Sequence, residues 1–200
     1  MKNQEALTEL IAEVLDQDLV ELKILSFKVF EAFESGQVEL SATLFENRSK
    51  ATLELTSEGV GTVHAFFNGL LKHFSEEYPS LESINFADFR VEGELSTTES
   101  GNRSDSGCTA VLLVRTSEEE FFEFRYPSSS VTSASLGSVT RAVGFFINSE
   151  RAFVQLHHAL SHARAEHRQD SVQRYTKQLT KLVEATSYSA VIAKLKEDLQ

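Results

Sequence analysis

Cations, cysteine and proline are scarce in this chain, and each scarcity closes off a class of function. Lysine and arginine number 19 against 30 aspartates and glutamates, a formal charge of −11 over 200 residues. So acidic a chain is not expected to hold a phosphate backbone, which is bound through a field of cations that displaces counterions. A single cysteine, Cys108, excludes an intramolecular disulfide and a cysteine-based zinc site, and fits a reducing compartment. No run approaches the roughly 18 apolar residues of a membrane helix, and the start of the chain lacks an apolar signal core. The expectation is therefore a cytoplasmic protein that binds neither nucleic acid nor membrane. At 200 residues the chain also falls short of the roughly 250 typical of a (β/α)₈ barrel.

What is present suits a globular fold, with 41% hydrophobic and 24% charged residues. Charge is unevenly divided. Residues 1–149 carry 11 basic and 24 acidic side chains, whereas residues 150–200 carry 8 and 6. Texture changes at nearly the same place: all nine glycines lie at or before Gly144 and both prolines, Pro79 and Pro127, lie earlier, leaving a tail with no helix breaker.

Hydrophobic periodicity predicts the elements. Leu7, Leu10, Ile11, Val14 and Leu15 repeat at helical intervals within 6–22. From Ile24 the period becomes two, and turns at Ser35-Gly36 and Asn47-Arg48-Ser49 divide the run into three antiparallel strands. Gly59-Val60-Gly61-Thr62 then opens a helix with Val63, Phe66, Phe67, Leu70, Leu71 and Phe74 on one face. The pattern recurs. Ile84, Phe86, Phe89 and Val91 predict a strand with an irregularity near Asp88, and Val111–Val114 and Phe121–Phe124 predict a hairpin turned at 117–119. A helix follows from about Thr132, with Leu136, Val139, Val143 and Phe146 on one face and Ser130 as its N-cap. The polar stretch Ser96–Gly107 reads as a flexible loop.

Shifting the second helix by 69 positions lays Ala134 on Ala65, Leu136 on Phe67, Val139 on Leu70 and Val143 on Phe74, a match of pattern that suggests an internal duplication. The expected fold is α+β. It has two β-β-β-α units, at about 23–76 and 83–149 within a core of 23–149, with helices packed on one sheet face. An N-terminal helix (1–22) and a C-terminal helical extension (150–200) complete it. Stripes in that extension, through Leu156, Leu160, Leu179, Leu182, Val191 and Leu195, read as packing or subunit-interface surface.

Catalytic signals are sparse. The carboxylate runs at Glu76-Glu77 and Glu118-Glu119-Glu120 read as solvated charge, and no G-x-S-x-G elbow surrounds a serine. His158, His162 and Glu166 stand four apart, a spacing that can present three metal ligands on one helix face. Neighbouring His157 and His167 favour a generally polar surface instead, so no metal and no cofactor are expected. Gly59-x-Gly61 lacks both the third glycine of a dinucleotide loop and the Lys-Ser/Thr pair of a phosphate loop. What remains is a glycine turn at a helix start, where backbone N–H groups can meet a small anion.

The residues from Glu58 to Phe66 (Glu-Gly-Val-Gly-Thr-Val-His-Ala-Phe) resemble the G-x-G-P-x-x-A segment of the C-terminal regulatory domain of 2-isopropylmalate synthase, a domain shared with citramalate synthases. Ser130 to Val139 (Ser-Val-Thr-Ser-Ala-Ser-Leu-Gly-Ser-Val) is similar to that family's second helix start, S/D-I-x-x-A-S-L-x-A-V. The likeness covers about 22–148. Thr62 stands at the family's usual proline, Arg125-Tyr126-Pro127 replaces a glycine-rich approach, and Gly144-Phe145 replaces a common Asn-Arg.

The resemblance implies a homodimer that binds the end-product amino acid, leucine or isoleucine, near its dimer interface. Gly59, Gly61 and Ala65 would line one half-site and Ser133, Ala134 and Ser135 the other. It implies no catalysis, because those enzymes carry their chemistry on a barrel for which this chain has no room. A separate synthase subunit is then an expected partner. The alternative is an interaction module that has lost its ligand and docks through the C-terminal helices.

Overall fold

The computed structural model describes residues 2–93, 107–183 and 188–197. Apart from Gly107, the stretch Ser96–Gly107 lies outside them.

The fold is α+β, two three-stranded antiparallel sheets with five helices. Helix α1 (Lys2–Leu15) buries Leu7, Leu10, Ile11 and Leu15, the stripe its periodicity marks. It ends seven residues sooner than 6–22 predicts. Asp16 takes φ +48°, a single 3-10 turn follows at Asp16–Asp18, and Leu19–Glu21 is held extended by side chains from distant elements.

Strands β1 (Leu22–Ala32), β2 (Gln37–Glu46) and β3 (Ala51–Val60) form the first sheet in that order, with a bulge in β1 between Ile24 and Ser26. Helix α2 (Thr62–Phe74) packs back on β3 and β2. After a 3-10 turn at Pro79–Ser83, strands β4 (Ile84–Gly93), β5 (Cys108–Thr116) and β6 (Phe121–Ser128) form the second sheet. The irregularity expected near Asp88 is a register shift between Phe86 and Asp88. Helix α3 begins at Val131 and packs on β5 and β6.

Helix α3 is longer and more central than one amphipathic face implies. It runs unbroken from Val131 to Ala165, 35 residues and about 50 Å at 1.5 Å per residue. Leu136, Val139, Ala142, Val143, Phe146 and Ile147 lie within one arc of about 140° and are all fully buried, and the small or polar Gly137, Ser138, Thr140 and Gly144 are buried on other sides. The helix is thus covered on most sides, by small and polar residues as well as by its apolar stripe. Here α1, α2, α4 and the second sheet all pack against it. One apolar cluster consequently runs through both units, from Leu7 to Val191.

The division at 149/150 therefore falls inside α3. Helix α4 (Gln169–Val183) turns back along α3 after a three-residue connection in which His167 has φ +57°, and α5 (Ser189–Glu197) lies against the 79–83 turn. Tyr188 fastens this tail. Its ring stacks on Phe153 at 4.3 Å between centroids, and its hydroxyl lies 2.6 Å from Ser149 Oγ. Burial pushes the phenol well above its ordinary range.

Candidate functional site

The two helix starts are built alike. Gly61 is the N-cap of α2 and Ser130 that of α3, and in each helix the fourth residue is a fully buried alanine. Ala65 N–H donates to the Gly61 carbonyl at 3.0 Å, and Ala134 N–H to the Ser130 carbonyl at 2.8 Å. The caps themselves differ. Ser130 Oγ accepts from Ser133 N–H at 3.3 Å, as expected of an N-cap serine. Gly61 has φ +84° and no side chain to cap with, so the first N–H groups of α2 have no side-chain acceptor from the cap residue.

Of the residues expected to line the first half-site, Gly59, Gly61 and Ala65 are brought together. A Cβ on Gly59 would stand 2.9 Å from Ala65 Cα, so only glycine lets the strand pass this close to the helix. Ser133, Ala134 and Ser135 occupy the first turns of α3. Ser133 is exposed, Ala134 packs with Cys108 and Ala110, and the buried Ser135 hydroxyl donates to the Val131 carbonyl at 2.6 Å. The small side chains of Ala65 and Ala134 are thus also required by helix-to-sheet packing.

A groove of about 1440 Å³ lies between the edges of β1 and β6, floored by α3. Of the six residues above, only Ser133 lines it. Its floor is kept low by Gly137, Thr140 and Gly144, and its β1 wall runs from Leu22 to Phe27. The β6 wall is closed to further strand pairing. Gln4 of α1 donates its amide to the Glu123 carbonyl (2.9 Å) and accepts from Glu123 N–H (3.0 Å), as a neighbouring strand would. Arg141 caps the Arg125 carbonyl and lies over the Tyr126 ring, while Pro127 has no N–H to offer.

A second amide clamp sets the groove's end. Val20 N–H donates to Asn148 Oδ1, and Asn148 Nδ2 donates to the Val20 carbonyl, both at 2.8 Å and buried. Asn47 binds Glu21 N–H and the Leu19 carbonyl in the same manner. Arg151 reaches the Asp18 carbonyl, its guanidinium pKa lowered first by partial burial and then by nearby Arg48. Periodicity cannot reveal such clamps, because they join residues as much as 128 positions apart.

The outer face of the second sheet holds a closed ring of charge. Arg90 bonds Glu92 (3.1 Å) and Glu123 (2.9 Å), while Arg125 bonds Glu123 (2.9 Å) and Glu92. Arg90 and Arg125 flank Val111 in the register, and beneath the ring Val111 is fully buried although it points away from the core. Hydrogen bonds from Arg125 and Arg90 hold the Glu92 carboxyl below its usual range.

The histidine stripe of α3 is engaged locally. His162 Nδ1 lies 3.5 Å from Glu166, which also pairs with Arg168 Nε at 2.8 Å, and all three are exposed. Among the described residues no group of three or more histidine, cysteine, aspartate or glutamate side chains could hold a metal ion. Among them, too, no helix is long and apolar enough to cross a membrane. Cys108 is buried with a free thiol that donates to the Ser128 carbonyl at 3.3 Å. Compared with models of protein families and with curated proteins, the chain matches none.

Proposed function

We propose that this chain is a regulatory and dimerisation module, similar to the C-terminal domain of 2-isopropylmalate and citramalate synthases, which binds a small branched-chain amino acid and acts on a partner enzyme rather than catalysing a reaction. One observation carries the reading. Two βββα units each open their helix on a small-residue cap, 69 positions apart, with alanine buried at the fourth position of each helix. In the first unit the N–H groups after Gly61, without a side-chain cap from that residue, have the polarity to meet a carboxylate, and the half-buried Val63 supplies apolar surface beside them.

Isothermal titration with leucine, isoleucine, valine and lysine tests the sensing part. Heat with leucine or isoleucine, lost in Gly61→Val, is the expected result. No heat with any of the four at millimolar ligand overturns it.

A second reading, an assembly module without a ligand, is favoured by the packing that already accounts for Ala65 and Ala134 and by their distance from the groove lining. It predicts no heat together with a retained dimer. Deleting 150–200 would not separate the two readings, since that cut divides α3 and removes the buried Phe153, Leu156, Leu182 and Tyr188.

A further inference from the structure

The four edges of the two sheets are not equally finished. Edge β6 is closed by Gln4, Arg141 and Pro127, and β4 lies under the charge ring. On β3 the outward residues are Thr52, Glu54, Thr56 and Glu58, with one exposed apolar side chain, Val60, at its end. Edge β1 is different. Five of the ten large apolar side chains most exposed among the described residues belong to it and its turn: Leu25, Phe27, Val29, Phe30 and Phe33, the last 96% exposed. These side chains lie on both faces of one unpaired strand and at its turn, and an unpaired apolar strand is a template for another strand.

Register shows what kind of strand fits. From Ser26 to Ala32 the pairing with β2 is unbroken, giving seven residues of regular edge. Phe27, Val29 and Glu31 share the face of the buried Ala42, Leu40 and Val38, while Lys28 and Phe30 lie on the other face. The segment is self-complementary when run antiparallel about Val29. Val29 then meets its own copy, Lys28 lies across from Phe30, and Phe27 across from Glu31. At the ends, Lys23 of one copy approaches the Glu34 turn of the other. Centring on Lys28 instead would oppose two lysines.

We propose that two copies of this chain associate through β1, antiparallel and edge to edge about a two-fold axis at Val29, joining their first sheets into one six-stranded sheet. The proposal rests on the dimerising module proposed above and names its interface. A two-fold contact of this kind is isologous, each copy giving and receiving the same residues, and the apolar hairpin becomes its buried centre.

Sedimentation velocity on the full chain, with the variants Val29→Lys and Phe30→Lys, tests it. Phe30 lies on the outer face and is 65% exposed, so Phe30→Lys should keep the far-UV spectrum and melting temperature; Val29, 37% exposed on the core-side face, is checked by the same two measurements before its sedimentation is compared. The dimer of the natural chain should weaken by roughly thirtyfold or more in each, the scale of losing a central interface residue. Val29→Cys should be trapped as a covalent dimer by a short bismaleimide, whereas Glu54→Cys on β3 should not. A natural chain that sediments as a dimer while Val29→Lys and Phe30→Lys leave it intact, or that is trapped through Glu54→Cys and not Val29→Cys, overturns this interface and leaves dimerisation standing. A natural chain that is monomeric at every concentration up to hundreds of micromolar overturns both. The titration with leucine and isoleucine reads the sensing part independently of either outcome.

Discussion

The two βββα units agree inside and part company outside. Inward, each sheet lays alternating apolar residues on its helix: Val38, Leu40, Ala42 and Leu44 on β2, and Ala110, Leu112 and Val114 on β5. Outward, the second sheet is finished by the Arg90–Glu92–Arg125–Glu123 ring over Val111. The first sheet has no comparable cover among the described residues. In its register Glu39 stands directly opposite Glu58, and Phe30 opposite Glu39. Inward positions answer to a core that both units share, so they cannot drift apart. Outward positions answer to whatever each sheet faces, and the ring is what a sheet facing water can carry.

The sharpest way to break this comparison is to attack the shared core from each unit. Phe67→Ala and Phe146→Ala each delete a ring that is at most 1% exposed. Each should cost about 4 kcal/mol in chemical denaturation, one cooperative transition being lost either way. Two separate transitions in either variant would show that the units fold apart.

The helix-to-sheet contacts come next. A Cβ on Gly59 would meet Ala65 backbone at 2.9 Å, and one on Gly137 would meet the Tyr126 ring at 2.6 Å. Backbone cannot step aside, whereas Tyr126 is a half-buried ring on an edge strand. Gly59→Ala should therefore lose about 3 kcal/mol and Gly137→Ala nearer 1 kcal/mol. Thermal melts that rank them the other way would mean the first unit yields more readily than its contacts imply.

The outer faces give the smallest effects. Glu92 is a carboxylate with a lowered pKa, so its contribution is present at neutral pH and fades as pH falls through that lowered value. Arg125→Gln should move the Glu92 midpoint up toward the ordinary carboxylate range in a carbon-detected NMR titration. On the first sheet Glu58→Lys should raise stability by about 0.5 kcal/mol by ending the opposition to Glu39. Destabilisation by Glu58→Lys would mean that something other than water covers this face.

Much of the fold is legible without coordinates. Alternation in 37–46, the apolar run at 111–114 and turn residues at Gly36 and Asn47 suffice for the strands, because period two and turn chemistry are local properties. The joint between α1 and β1 is not, since nothing local makes Asp16 turn left-handed or holds Leu19–Glu21 extended. Asn148 and Asn47 do that from 128 and 26 residues away. The helix starts were readable as motifs, whereas the groove was not, because β1 and β6 become neighbours only when both sheets pack around α3.

The sequence by itself determined the repeat of three strands and a helix, the glycine and serine caps, and the acidic balance, all of which follow from residue type and spacing along the chain. Tertiary structure alone decided that α3 passes through the proposed 149/150 boundary as one buried helix, that Val111 is sealed by a ring of charge, and that β1 keeps its apolar edge exposed. Burial is a property of what lies across from a residue, and no period along the chain encodes it.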